Sequence, residues 1–356
     1  MADGGAAEVL RAPFPYPGGK RRIADVVWSA LGDCRVYVEP FFGSGAVLLS
    51  RPSEPGIETV NDADGLLVHF WRALRSAPSE VARHADYPVS EIDLHARHRE
   101  LVRRAGEVRE QLEADPRWFD AELAGWWVWG LSQWIGGGWC SPVRSKDSAR
   151  GAAEFPQRPH VSASSAGMGV HRKVPQRRPN LTTAGTGVQR QMPEVRGSGG
   201  CGVVGQSLDG GALAPWFEAL ADRLRRVRIV CGDFERVLTK STLYVEGSSV
   251  AGVFLDPPYS HAMRSTKLYA HDSADTAERA RKWAIEHGDD PALRIVLAGL
   301  EGEHAMPAGW RKVEWTGPAG LGRRSGNRHL ERLWLSPHCL SLDPSAQLSL
   351  FEVANG

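Results

Sequence analysis

Hydrophobic positions along the chain fall into two alternating kinds of run. Short β-branched stretches read as strands: Cys34–Glu39, Ile57–Asn61, Val227–Cys231, Val250–Leu255, Leu293–Leu297 and Leu330–Leu335, with a weaker one at Lys312–Thr316. Between them lie segments with apolar residues three and four apart. Leu67, Phe70, Trp71 and Leu74 predict a helix over Leu66–Arg75, and Phe217, Leu220 and Leu224 share one side of Trp216–Arg226. Further helices are predicted from Ala46, over Ile92–Glu113, and from Asp115-Pro116 through Trp126, Trp127 and Trp129. Strands alternating with helices predict an α/β sheet.

The periodicity stops after Pro142. Residues 143–210 are rich in Gly, Ser, Pro and Arg, and so long a loop inside a compact domain is functional or disordered. A near-repeat runs through it. Arg158-Pro159-His160-Val161 leads to Arg172 and Pro175, and Arg178-Pro179-Asn180-Leu181 leads to Arg190 and Pro193. The units are too short for a solenoid and read as successive turns presenting arginines.

Charge sharpens this picture. The net charge of +1 hides an uneven distribution: ten Lys or Arg against three Asp or Glu between Arg144 and Gly200. A basic patch on an otherwise acidic chain is the footprint of a polyanion contact. Arg158, Arg172, Arg177, Arg178 and Arg190 are the candidate contacts, joined by Arg323, Arg324 and Arg328 in a Gly-flanked basic turn before the last strand.

Other features exclude classes. The five cysteines are scattered and never spaced as CxxC, so neither a disulfide framework nor a structural zinc site is expected, and no metal. No apolar run is long enough for a bilayer, and Met1–Ala7 lacks the apolar centre of a signal peptide, so a cytoplasmic location is expected. Trp126, Trp127, Trp129, Trp134 and Trp139 read as packing residues rather than base-stacking platforms.

Three motifs carry chemistry. Asp256-Pro257-Pro258-Tyr259 follows a strand directly, where ligands bind in open α/β sheets. The prolines fix the backbone and leave carbonyls without N–H donors. A carboxylate, a proline carbonyl and an aromatic ring suit a flat base bearing an amino group, with Asp256, Pro257 and Tyr259 as the catalytic set. Glu39-Pro40-Phe41-Phe42-Gly43-Ser44-Gly45 is a strand, glycine turn and helix start, an anion or nucleotide cradle. Asp62, about twenty residues on, ends the next strand, where an acidic side chain accepts from ribose hydroxyls. Tyr16-Pro17-Gly18-Gly19-Lys20 is a basic turn without P-loop spacing.

In this order the three motifs resemble those of the Dam-type (D12 class) DNA adenine methyltransferases. The resemblance spans roughly residues 14–75 and 215–340. It implies a Rossmann-like S-adenosylmethionine-dependent methyltransferase fold. It divides the chain into a cofactor half with a helical segment (1–125), a target-recognition insertion (126–212), a catalytic half (213–340) and a tail (341–356). S-adenosylmethionine would be held by Tyr16, Gly18, Gly19, Lys20, Glu39, Phe41, Phe42, Gly43, Gly45, Asp62, Asp233, Phe234 and Asp256. His271-Asp272 falls where the family closes over the base. The family's recognition hairpin is not recognisable between 140 and 210, so its target sequence does not carry over.

The implied reaction is methyl transfer to N6 of an adenine flipped out of double-stranded DNA. The alternatives are N4 methylation of cytosine, whose motif carries Ser where Asp256 stands, and a silent DNA-binding protein of the same fold. A nicotinamide oxidoreductase would need a glycine at position 48, which is Leu48. Gln347-Leu348-Ser349-Leu350-Phe351 resembles the peptide by which bacterial replication and repair proteins bind the sliding clamp, with Gln347, Leu348, Leu350 and Phe351 as its contacts. A restriction-modification or phage setting is compatible with this loop-rich organisation.

Overall fold

The computed structural model describes residues 10–14, 20–134, 139–140, 213–247, 250–258, 275–315 and 330–342. Seven strands form one sheet: β1 (Val36–Glu39), β2 (Ile57–Asp62), β3 (Arg228–Cys231), β4 (Ala251–Leu255), β5 (Leu293–Leu300), β6 (Arg311–Glu314) and β7 (Glu331–Leu335). Their spatial order is β3-β2-β1-β4-β5-β7-β6. The first five are parallel, and β7 runs antiparallel between β5 and β6. This is the mostly parallel α/β sheet of an S-adenosylmethionine-dependent methyltransferase fold.

Period-two alternation splits the core into two layers. Tyr37, Phe254, Val296, Ala298, Leu333 and Leu335 face one layer; Val36, Val38, Val253, Leu255, Ile295, Leu297 and Trp334 face the other. Both faces are covered, so the central strands are apolar throughout rather than alternating with polar residues.

Nine helices among the described residues cover the sheet: α1 (Ala24–Leu31), α2 (Ala46–Leu49), α3 (Gly65–Ser76), α4 (Pro78–Ala85), α5 (Glu91–Ala114), α6 (Ala121–Gln133), α7 (Leu213–Leu224), α8 (Lys240–Leu243) and α9 (Thr276–His287). The Tyr37 layer packs against α1 and the α3–α7 group; the Val38 layer packs against α8 and α9. Arg223 of α7 clamps Glu58 of β2 with two hydrogen bonds of 2.6 and 2.8 Å, and so ties α7 to the strands of the first half of the chain.

Several sequence expectations need adjustment. The helix after Asp115-Pro116 begins later, at Ala121, because Asp120 is its cap: Asp120 Oδ1 accepts from the Leu123 N–H at 3.0 Å. Asp115 instead ends α5. The helix from Ala46 is a single turn. A division at residue 126 falls inside α6, whose Leu123, Trp127 and Trp129 belong to the same core as α3 and α4.

The tryptophans pack. Trp129 Nε1 donates to the Tyr87 carbonyl at 2.8 Å, and Trp139 Nε1 to the Trp127 carbonyl at 3.0 Å. A Cβ on Gly130 would lie 1.9 Å from the Trp139 ring, so glycine is required there. Among the described residues no helix is long and apolar enough to cross a membrane, and the four described cysteines are free.

Candidate active site

The chain lays β1, β2 and β3 outward in one direction, then returns to place β4 on the other side of β1. The carboxyl ends of β1 and β4 therefore flank a topological switch point, where open α/β sheets bind ligands. Glu39 ends β1 and Asp256 follows β4.

The glycine turn is built by its own residues. Gly43 and Gly45 have φ of 49° and 68°, in the left-handed region that glycine enters without strain. A Cβ on Gly45 would come within 2.7 Å of the Phe42 ring, so the close approach also excludes a side chain. Trp71 of α3 donates Nε1–H to the Gly43 carbonyl at 3.1 Å, and Trp28 of α1 donates to the Val47 carbonyl at 2.8 Å. Both pin the turn from beneath. Since α2 has only one turn, backbone approach rather than a helix dipole makes the cradle.

Glu39 is buried beneath this turn and accepts from the Tyr37 hydroxyl at 3.0 Å. Burial pushes its carboxyl well above the ordinary value, and the nearby Asp256 charge adds to the push.

Asp62 closes the cradle. Its Oδ2 accepts from the Gly43 N–H and its Oδ1 from the Asp64 N–H, both at 2.9 Å. Burial raises its pKa to about 6, outweighing those two donors. An ionised carboxylate offers roughly four acceptor sites, so two backbone bonds leave capacity for ribose hydroxyls. The glycine approach and this spare capacity fit a nucleoside cofactor.

The next wall comes from β3. Phe41 stacks on Phe234, with centroids 5.1 Å apart and planes at 28°. Asp233 is clamped by Arg279 of α9 through two 3.0 Å bonds and accepts from Glu235 N–H at 3.0 Å. Burial works to raise the Asp233 pKa, but Arg279 holds it below the ordinary value. The Arg279 guanidinium lies 5.0 Å from the Phe234 ring centre. Arg279 was not legible as a site residue, since it lies in a polar helix far along the chain.

Lys20 is not found among the cradle residues. Its Nζ lies 2.9 Å from Asp256 Oδ1. Burial would lower the Lys20 pKa, but Asp256, Glu331 and Glu303 outweigh it and the net shift is upward. Burial raises the Asp256 pKa, Lys20 opposes that, and Glu303 adds to it. Pro257 is buried beside the carboxylate.

Residues 16–106 match the family model of the D12 class N6 adenine-specific DNA methyltransferases. The chain is thus an adenine-N6 DNA methyltransferase using S-adenosylmethionine. The matched stretch, about a quarter of the chain, contains the Lys20 turn, the glycine cradle and Asp62. Asp256 lies outside it, and the sheet brings that residue to the methyltransferase's cradle from the other half. No curated protein matches the chain.

Other candidates fall outside the described residues: Tyr16, Gly18, Gly19 and Tyr259; Arg158, Arg172, Arg177, Arg178 and Arg190; Arg323, Arg324 and Arg328; His271; and Gln347, Leu348, Leu350 and Phe351. Among the described residues no group of His, Cys, Asp or Glu is arranged to hold a metal ion.

Proposed function

We propose that this DNA adenine methyltransferase works through Asp256, with Lys20 as its charge partner and Pro257 and Tyr259 completing the base site. The observation that carries this reading is the Lys20–Asp256 pair at the switch point, beside the Glu39–Asp62 cradle. S-adenosylmethionine supplies the methyl group as an electrophilic sulfonium. Gly43, Gly45 and Asp62 bind and orient that cofactor, and Phe41 and Phe234 wall its adenine side.

Adenine N6 is a weak nucleophile because its lone pair is delocalised into the ring. Lys20 holds Asp256 Oδ1, and Asp256 Oδ2 accepts one N6 hydrogen. The Pro257 carbonyl accepts the other. The two acceptors keep electron density on nitrogen and aim it, so positioning and electrostatics supply the rate. Lys20 also keeps Asp256 ionised against the cost of burial. Tyr259 stacks on the flipped base.

Asp256 rather than Ser at this position favours adenine over cytosine N4. Asp256→Ala tests the assignment: turnover is lost while S-adenosylmethionine binding is retained. Near-normal turnover in that variant contradicts it.

Two finer assignments rest on sequence. The basic segment 144–196 contacts the DNA backbone and base edges, with Arg158, Arg172, Arg177, Arg178 and Arg190 foremost. The tail residues Gln347, Leu348, Leu350 and Phe351 bind the bacterial sliding clamp through an apolar groove. Deleting 345–356 abolishes clamp binding in this reading and leaves methylation of free plasmid unchanged; unaltered clamp binding contradicts it.

A further inference from the structure

The end of β2 carries a buried side chain that the chemistry above does not use. Asn61 is 1% exposed. Its Nδ2 donates to the Pro40 carbonyl and to the Gly232 carbonyl, both at 3.0 Å. These two carbonyls belong to different turns. Pro40 precedes Phe41 after β1, and Gly232 precedes Asp233 after β3.

Two backbone links and one to a side chain reinforce the crossing: Phe42 N–H donates to the Asn61 carbonyl at 2.8 Å, Gly232 N–H to the Asp62 carbonyl at 2.9 Å, and Gly43 N–H to the Asp62 carboxylate Oδ2 at 2.9 Å. The backbone bonds would survive almost any residue at 61. The two Nδ2 bonds require an NH2 group at that point, since both partners are acceptors. This also fixes the amide orientation, because a flip would face oxygen to two carbonyls.

The arrangement is costly. Asn61 Oδ1 is buried with no hydrogen-bond partner. An unsatisfied buried acceptor costs about 1–3 kcal/mol, and an apolar residue would avoid it. Gly232 itself has φ 142°, a backbone that other residues rarely adopt. The ring pair Phe41–Phe234 stands on the two turns that Asn61 joins.

We infer that the Asn61 amide is the strap that sets the spacing between the Pro40–Phe41 and Gly232–Phe234 turns, and so positions the two walls that receive the adenosine part of S-adenosylmethionine. Asn61 is a positioning residue, acting through Phe41, Asp233 and Phe234. The inference rests on the cofactor reading proposed above.

The test uses the full chain and S-adenosylmethionine itself. Calorimetric affinity, KM for S-adenosylmethionine, kcat at saturation and thermal melting are compared for wild type, Asn61→Ala and Asn61→Asp. Asn61→Ala loses two hydrogen bonds and is expected to raise KM and Kd by about tenfold or more, with kcat nearly unchanged. Asn61→Asp turns an oxygen toward the two carbonyls and is expected to weaken binding at least as much. Folded variants with wild-type affinity overturn the inference. So does a fall in kcat at unchanged KM, or a failure of Asn61→Ala to fold, which makes the residue a determinant of the fold alone. If wild type itself fails to bind S-adenosylmethionine, the cofactor reading fails, and this inference with it.

Discussion

Lys20 Nζ sits 2.9 Å from Asp256 Oδ1, although 236 positions separate the two residues in sequence. The basic turn before α1 and the acidic turn after β4 are thereby one electrostatic unit. A buried carboxylate alone would take up a proton and lose its value as an acceptor. Lys20 opposes that tendency, and the cost of burying each charge is offset by the other.

The pair sets a pH dependence. In the proposed mechanism Asp256 is the stronger acceptor for N6 when ionised, and burial raises its pKa, so kcat/KM is expected to fall as pH falls through that value. Lys20→Met removes the opposing charge and pushes the Asp256 pKa higher still. The acidic limb of the pH profile is expected to move upward by about 1–3 pH units, the usual influence of an opposite charge at this range. An unmoved limb contradicts the coupling.

Asp62 titrates in a range open to direct measurement. Burial places its pKa at about 6. In the proposed cofactor site ribose hydroxyls donate to the ionised form, so binding below that pH would first have to expel a proton. Affinity for S-adenosylmethionine is expected to weaken as pH drops from 7 to 5, with proton release on binding near pH 6. The sign for folding is the opposite of a salt-bridged carboxylate. The folded state binds this proton more tightly than the unfolded one, so this group's contribution to stability declines as pH rises toward and through 6. Asp62→Asn should flatten the binding dependence; a retained slope assigns it elsewhere.

Much of this architecture was legible in the sequence, and the gaps have physical causes. The central strands were readable because their apolar runs are buried on both faces, and the half-exposed edge strands β3 and β6 were read from shorter runs. The α9 helix was not, because its buried face is Ala277, Ala280 and Ala284, too small to stand out as a periodic apolar stripe. The α1 helix was missed because it is buried nearly all round and eight residues long. The glycine turn and Asp62 were visible from spacing. The Trp71 and Asn61 bonds that hold them were not, since both depend on contacts made only after the sheet assembles. The Lys20 turn was visible as a motif, but its pairing with Asp256 was not, because that partner comes from the other half of the chain.

The glycine cradle has little tolerance. Gly45→Ala combines a left-handed backbone, costing about 1–2 kcal/mol, with a Cβ 2.7 Å from the Phe42 ring. A lowered melting temperature and a raised KM for S-adenosylmethionine are expected together. Wild-type behaviour in both would show that the turn relaxes freely.

The DNA assignment predicts salt dependence. Affinity for duplex DNA is expected to fall linearly on a log–log plot against salt, by about 0.9 per phosphate contact. Replacing Arg158, Arg172, Arg177, Arg178 and Arg190 with Ala should flatten that slope. A slope identical to wild type would remove the segment from the DNA interface.

The most direct test of the whole account is nucleoside mass spectrometry of plasmid DNA from a methylation-deficient host expressing the protein, with Asp256→Ala as control. N6-methyladenine with the intact protein and none with the variant is the predicted result. N4-methylcytosine in its place, or N6-methyladenine undiminished in the Asp256→Ala culture, would contradict it.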